Sequence, residues 1–151
     1  MLTNKQKIAV AKDVIKQIEE KVYRAITNAH LIQSNIPTKF IGDLQGYCKS
    51  MKRCTGCARG TMFISTVKLF NKYKLVNTSH IEIDDDLRAK TEKDWGKDQI
   101  RLIENAFMTD YYNSRFASAK AVKMGRLYDN NNERLIAIME NIISNNGTFK
   151  P

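Results

Sequence analysis

The chain has 151 residues, of which 42% are apolar, a length that supports one hydrophobic core and is too short to expect two. It contains only seven glycines and two prolines, which argues against sandwiches and barrels because those folds need many turns. Lysine and arginine number 25 against 16 acidic residues, and the net charge of +9 favours an anionic partner or an acidic protein surface.

The sequence also indicates a compartment. No stretch approaches the run of about 18 apolar residues that a membrane span requires, and the N-terminus lacks the apolar segment of a signal peptide. Three cysteines, an odd number, fit a reducing compartment better than a disulfide framework. We therefore expect a cytoplasmic protein without a membrane partner.

Charge is distributed unevenly along the chain. Residues 31–75 contain eight cations and one acidic residue, whereas residues 76–113 contain five cations and nine acidic residues. This asymmetry predicts one basic surface and one acidic surface.

The first predicted element is a helix from residue 3 or 4 to about residues 23–25. Thr3 and Gln6 match a capping box, in which each side chain satisfies a free backbone N–H at the helix start. Aliphatic residues then recur at spacings of three and four and form one stripe: Ile8, Ala11, Ile15, Ile18 and Val22.

The segment 26–39 has no lasting period. Ile36 precedes Pro37, and a residue before proline is pushed out of the α region, so no helix continues through this point. We expect a short extended piece around residues 29–33, followed by a short helix that Thr38 caps and that contains Leu44.

A central helix is predicted to begin near Thr55 and to end near Tyr73. Apolar or small residues surround much of its circumference, as in a helix that lies largely inside a core. Gly56 and Gly60 each weaken helix propensity by about 1 kcal/mol relative to alanine. They are tolerable near a helix start, or where another backbone approaches closely.

Less regular elements follow. Residues 80–83 alternate as a brief strand does, and Asp84–Asp86 most simply cap a short helix that begins at Leu87. Further helices are predicted over residues 98–112 and 116–128.

The last helix is as clear as the first. Asn131 or Asn132 caps it, and it ends at Asn145-Asn146-Gly147, where the glycine suits a left-handed C-terminal cap. The chain is thus predicted to be all-α, or mostly α with a minor β element. We expect one compact domain over residues 1–151, built from five to seven helices.

Two cysteines have the spacing of half a zinc site, Cys54-x-x-Cys57. Cys48 together with His30 or His80 would complete four tetrahedral ligands; the set we consider first is Cys48, Cys54, Cys57 and His80. No second CxxC or HxxxH is present, so small thiols that fill space near a helix start are the favoured interpretation.

Catalytic interpretations of these thiols stay open. A thiol at a helix start beside Lys52, Arg53 and Arg59 would have its thiolate stabilised, but no βαβ unit of a thioredoxin-like enzyme is visible. A Cys–His pair assembled by the fold is a further alternative. We expect no cofactor, because neither GxGxxG nor GxxxxGK[ST] occurs.

A group of cations interleaved with aromatic residues has the composition of a phosphate-binding surface. An ordinary solvated face has the same composition. The predicted binding residues are Lys49, Lys52, Arg53, Arg59, Lys68, Lys72 and Tyr73.

A pattern that extends over about half of the chain rests on three separated blocks: CxxCAxGxxFxSxV at residues 54–67, QIRLIExAF at 99–107 and ERLIAIMENIIxNxGxF at 133–149. They resemble a set of small bacteriophage-encoded proteins without an assigned activity. The resemblance implies an accessory protein that works in the cytoplasm of a bacterial host, and it transfers no catalytic residue.

These observations favour a non-enzymatic protein that binds a host macromolecule, such as a defence or nuclease component, through the basic surface. An exposed aromatic residue is expected to anchor the contact, since aromatic residues dominate binding hot spots; the candidates are Tyr73, Tyr111, Tyr112 and Trp95. The alternative is a nucleic-acid or nucleotide-binding protein that uses the basic face of residues 47–74. An enzyme that uses Cys54 or Cys57 ranks third.

Overall fold

The computed structural model describes residues 1–27, 29–31, 44–70, 80–109 and 118–151, with the backbone alone at residues 80–84. Seven helices and two short strands lie in these ranges, which confirms the prediction of a mostly α fold with a minor β element. In chain order they are α1 (Asn4–Glu19), β1 (Tyr23–Ala25), α2 (Leu44–Ser50), β2 (Cys54–Gly56), α3 (Ala58–Phe70), α4 (His80–Trp95), α5 (Lys97–Phe107), α6 (Ala119–Gly125) and α7 (Asn131–Ser144).

Helix α1 begins as predicted, because Thr3 and Gln6 form the capping box. It ends at Glu19, before the predicted residues 23–25. The chain turns at Lys21, which adopts a left-handed φ of 60°, and then runs into β1. The predicted helix end was therefore wrong, because its last residues belong to a strand.

The inward face of α1 is also rotated from the predicted stripe. Val10 and Val14 are fully buried, whereas Ile8 and Ile15 are only half-buried. This face packs against α3 and α7.

Strands β1 and β2 form a parallel pair that was not predicted. Tyr23 lies opposite Cys54, and Ala25 lies opposite Gly56. On its other side, β1 is tied to α7, because the Ala25 N–H donates to Oδ1 of Asn132 at 2.8 Å. The outer side of β2 forms an isolated antiparallel bridge to residue 31, within the extended piece that the sequence predicts.

Helix α3 is the centre of the fold, as predicted, although it begins three residues later than residue 55 because β2 occupies that position. Every residue from Ala58 to Val67 is buried. The buried hydroxyls of α3 have hydrogen-bond partners. Those of Thr61 and Thr66 donate to carbonyls one turn earlier, and Ser65 shares a hydrogen bond with the Tyr23 hydroxyl in β1.

The C-terminal half departs from prediction at its element boundaries. Helix α4 includes residues 80–83, so the brief strand expected there is wrong, and Asp84–Asp86 lie inside the helix rather than before it. Helix α5 ends at Phe107, and α6 is shorter than the predicted 116–128. Residues 110–117 lie outside the described part of the chain, as do residues 32–43 with the predicted Thr38 cap.

Helix α7 starts one residue earlier than predicted, with Asn130 as its N-cap, and Gly147 has the expected left-handed φ of 84°. Its buried Arg134 donates to the carbonyls of Phe107, Gly125 and Tyr128. This guanidinium joins α5, α6 and the following turn to α7. The described elements share one hydrophobic cluster that extends from Leu2 to Phe149.

Candidate functional site

The parallel strands bring two basic segments together. Their amino ends are adjacent, because the Cys54 N–H donates to the Val22 carbonyl at 2.7 Å. Lys21 precedes β1, and Lys52 and Arg53 precede β2. We call the resulting surface the basic edge; its members are Lys21, Arg24, Lys49, Lys52 and Arg53.

All five side chains of the basic edge are exposed. The ion pairs found among the described residues involve none of them. Within that part of the chain, the edge therefore carries five positive charges that no carboxylate neutralises, which is the property required to attract an anionic ligand.

Arg59 does not belong to this surface, so its predicted exposed position is wrong. Its residue is only 3% exposed, and its guanidinium pairs with Glu92 at 3.0 Å and with Glu104 at 3.2 Å. It also donates to Oγ1 of Thr91 at 2.6 Å and to the Arg88 carbonyl at 2.9 Å. Arg59 therefore links the start of α3 to α4 and α5.

Lys68 is also occupied inside the fold. Its ammonium lies 2.7 Å from Oδ1 of Asp13, and both side chains are largely buried. This pair joins α3 to α1. Lys72 and Tyr73, the other two predicted binding residues, lie outside the described residues, together with Tyr111 and Tyr112.

Trp95 is not the exposed anchor expected from the sequence. It is 2% exposed, and the ammonium of Lys7 lies 5.9 Å from its ring centroid. Among the residues that the structure describes, the large apolar side chains on the surface are Met1, Leu69 and Leu127. None of these three belongs to the basic edge.

The three thiols are free and buried. Burial raises the pKa of Cys54 to about 12, with a further contribution from the nearby Cys48. Burial also raises the pKa of Cys57 to about 11, although backbone N–H groups of Gly60 and Arg59 act in the opposite direction. At neutral pH both groups are therefore protonated thiols.

The structure pairs one of these thiols with a histidine. Nδ1 of His30 lies 3.4 Å from Sγ of Cys57, at the carboxyl end of β2. No group of three or more His, Cys, Asp or Glu side chains within the described ranges could hold a metal ion, and the Cys57–His30 pair is not part of one. The His80 side chain, which the predicted zinc set requires, lies outside those ranges.

The sequence alone did not reveal Lys21 or Arg24 as site residues, whereas His30 was considered only as a possible zinc ligand or as part of a Cys–His pair. The first two lie about thirty positions before the predicted patch, and only the pairing of β1 with β2 brings them to it. One signal was present in the sequence: Tyr23, Arg24 and Ala25 alternate between apolar and charged residues, which is typical of a strand. In the structure the two outer residues are buried and Arg24 is exposed.

Comparison with protein-family models, with curated proteins and with solved structures finds no match for the chain. Across the described ranges, no helix combines the length and the apolar character needed to span a bilayer. The basic edge and the thiol–imidazole pair are therefore the features of the described structure from which a function can be inferred.

Proposed function

We propose that this protein acts by binding, and that its basic edge holds the phosphate backbone of a nucleic acid. The observation that carries the proposal is the group of five exposed cations in and just before β1 and in the segment that leads into β2, none of them paired with a described acidic residue. Backbone phosphates are recognised mainly by such cations, and the counterions that they release supply most of the affinity.

Nucleic acid is favoured over the host protein that the sequence led us to expect, because the large exposed apolar side chains among the described residues, Met1, Leu69 and Leu127, do not belong to the edge. Stable protein interfaces have a buried centre built from aromatic and apolar side chains, with charges at the rim. The exposed members of the basic edge are all lysine or arginine, and the buried Trp95 supplies no such centre. A phosphate backbone needs none.

The setting remains the cytoplasm of a bacterial host, which the resemblance to phage accessory proteins supports. In that setting, binding along a nucleic acid without sequence preference requires only a charged surface. No base-reading helix is needed for this function.

The test is fluorescence anisotropy with labelled single-stranded and duplex DNA over 50–200 mM salt. We expect binding that weakens steeply with salt. The double variant K52E/R53E should bind roughly tenfold more weakly or worse, and its logarithmic salt slope on duplex should be smaller by about 2, because two phosphate contacts are lost.

The matched control is K120E/K123E, which makes the same change in net charge on exposed positions of α6. It should retain most of the affinity. Equal loss in both variants would mean that binding follows net charge alone. If neither DNA binds at 50 mM salt, while the wild type but not K52E/R53E retains an acidic host protein, the partner is that protein.

A further inference from the structure

The carboxyl end of the two-stranded sheet holds the thiol of Cys57 and the imidazole of His30 in contact, with 3.4 Å between Sγ and Nδ1. We propose that these two side chains are a nucleophile and its general base, able to accept an acyl group from an ester. This activity is separate from the basic edge, which lies at the opposite, amino end of the same strands.

The position of His30 is fixed by the backbone. The Cys57 N–H donates to the carbonyls of Ala29 at 3.0 Å and His30 at 3.2 Å, and Leu31 bridges to Gly56. A Cβ at Gly56 would lie 2.6 Å from the His30 carbonyl oxygen.

Gly60 makes the same close approach from one turn into α3. A Cβ at this glycine would lie 1.7 Å from the His30 carbonyl oxygen, so no other residue fits there without displacing the histidine. Two glycines and three backbone contacts therefore place the imidazole next to the thiol. Such positioning is what a nucleophile and its base require, with the two groups within hydrogen-bond reach.

The surroundings of the sulfur suit developing negative charge. Cys57 immediately precedes α3, and the backbone N–H groups of Gly60 and Arg59 act to lower the pKa of its thiol, although burial outweighs them. The guanidinium of Arg59 favours the thiolate, whereas the carboxylate of Glu104 opposes it, and these two groups are paired with each other.

Burial sets how the thiol reacts. Because burial keeps the pKa of Cys57 at about 11, the resting group is S–H, and it must lose its proton as it attacks rather than beforehand. Nδ1 is the acceptor within reach when His30 carries its hydrogen on Nε2. His30 is partly exposed, whereas Cys57 is only 2% exposed.

Transfer of the acyl group from the ester to Cys57 needs no oxidant, reductant or other co-reactant. Sγ attacks the acyl carbon of an ester and an S–C bond forms, while the S–H proton passes to Nδ1 of His30. The C–O bond to the alcohol then breaks, and the same proton passes to the departing oxygen. The products are a free alcohol and an acyl thioester on Cys57, which water hydrolyses with His30 again as base.

The experiment uses p-nitrophenyl acetate and the full chain at neutral pH. We expect a burst of about one equivalent of p-nitrophenol per protein, with the acetyl group found on Cys57 by peptide mapping. His30→Gln should slow acetylation roughly a hundredfold or more, the usual contribution of a general base. Cys57→Ser should abolish the burst, while Cys48→Ser should retain it.

Circular dichroism of each variant shows whether it folds, and mapping of the wild-type protein needs no variant. An acetyl group on Cys48, Cys54 or lysine alone would overturn the proposal, as would a Cys57 that stays unmodified in the folded protein. Acetylation of Cys57 at an unchanged rate in folded His30→Gln would also overturn it. None of these three results bears on DNA binding at the basic edge.

Discussion

Replacement of Arg59 by methionine separates the binding role expected from the sequence from the structural role that its contacts define. Methionine has a similar length but no donors. It removes the pairs to Glu92 and Glu104 and the hydrogen bonds to Thr91 and the Arg88 carbonyl. We expect the variant to lose stability and to keep the affinity of the basic edge for DNA.

The size of the loss follows from the exposure of the partners. Buried hydrogen bonds between charged groups contribute about 1.5–3 kcal/mol each, but the Glu92 side chain is 42% exposed and that of Glu104 is 23% exposed. Allowing for hydration of the two released carboxylates, we take about 1 kcal/mol for each of the pairs to Glu92 and Glu104. The neutral contacts add about 1 kcal/mol, giving a loss of roughly 3 kcal/mol.

Thermal and urea unfolding measure this loss directly. For a chain of this size, roughly 3 kcal/mol lowers Tm by about 6–12 °C. Arg53→Met is the matched control, because Arg53 is exposed and unfolding should change by no more than about 0.5 kcal/mol. A loss below about 1 kcal/mol in Arg59→Met, or weaker DNA binding by the folded variant, would refute the assignment of Arg59 to the core.

Two further predictions concern the same stretch of chain. Gly60→Ala should destabilise the protein by about 2 kcal/mol or more in urea unfolding, although alanine normally stabilises a helix by about 1 kcal/mol, because its Cβ would meet the His30 carbonyl. A neutral or stabilising result would show that residues 29–31 are not held against α3. Stability should also fall above pH 9, because unfolded thiols release protons while Cys54 and Cys57 retain theirs up to pKa values of about 12 and about 11. Each thiol contributes up to about 1.4 kcal/mol per pH unit near pH 10, and the buried Tyr23 adds to the fall because burial raises the pKa of its phenol. Cys54→Ala should therefore lower the slope by about 1.4 kcal/mol per pH unit; an equal slope in that variant would contradict burial as the cause.

Local chemistry accounts for the elements that the sequence predicted correctly. The Thr3–Gln6 capping box fixed the start of α1, and the continuous apolar and small residues after Ala58 identified the central helix. Both signals lie within a few residues of the feature that they predict. The last helix was located in the same way, by Gly147 at its end.

The parts that failed depend on contacts between distant segments. Strand β2 is three residues long, and its only regular partner in the described ranges is β1, about thirty residues earlier. A strand this short has no period of its own, so helix propensity decided the prediction. Arg59 was misassigned for a related reason: the charged residues nearest to it in sequence are cations, Arg53 and Lys68, whereas its partners Glu92 and Glu104 come from later helices.

Packing explains most of the residue types in the segment from Cys54 to Gly60. It does not explain the contact between the Cys57 sulfur and the His30 ring. Gly56 and Gly60 leave space for the His30 carbonyl oxygen. Arg59 links α3 to α4 and α5, and Cys54 occupies a buried position in β2. The contacts of the two glycines involve the backbone of His30 and not its imidazole. The contact between the ring and the Cys57 sulfur is not among these packing roles. His30→Gln keeps the backbone in place and removes only the base, so it tests that contact in a way that Gly60→Ala cannot.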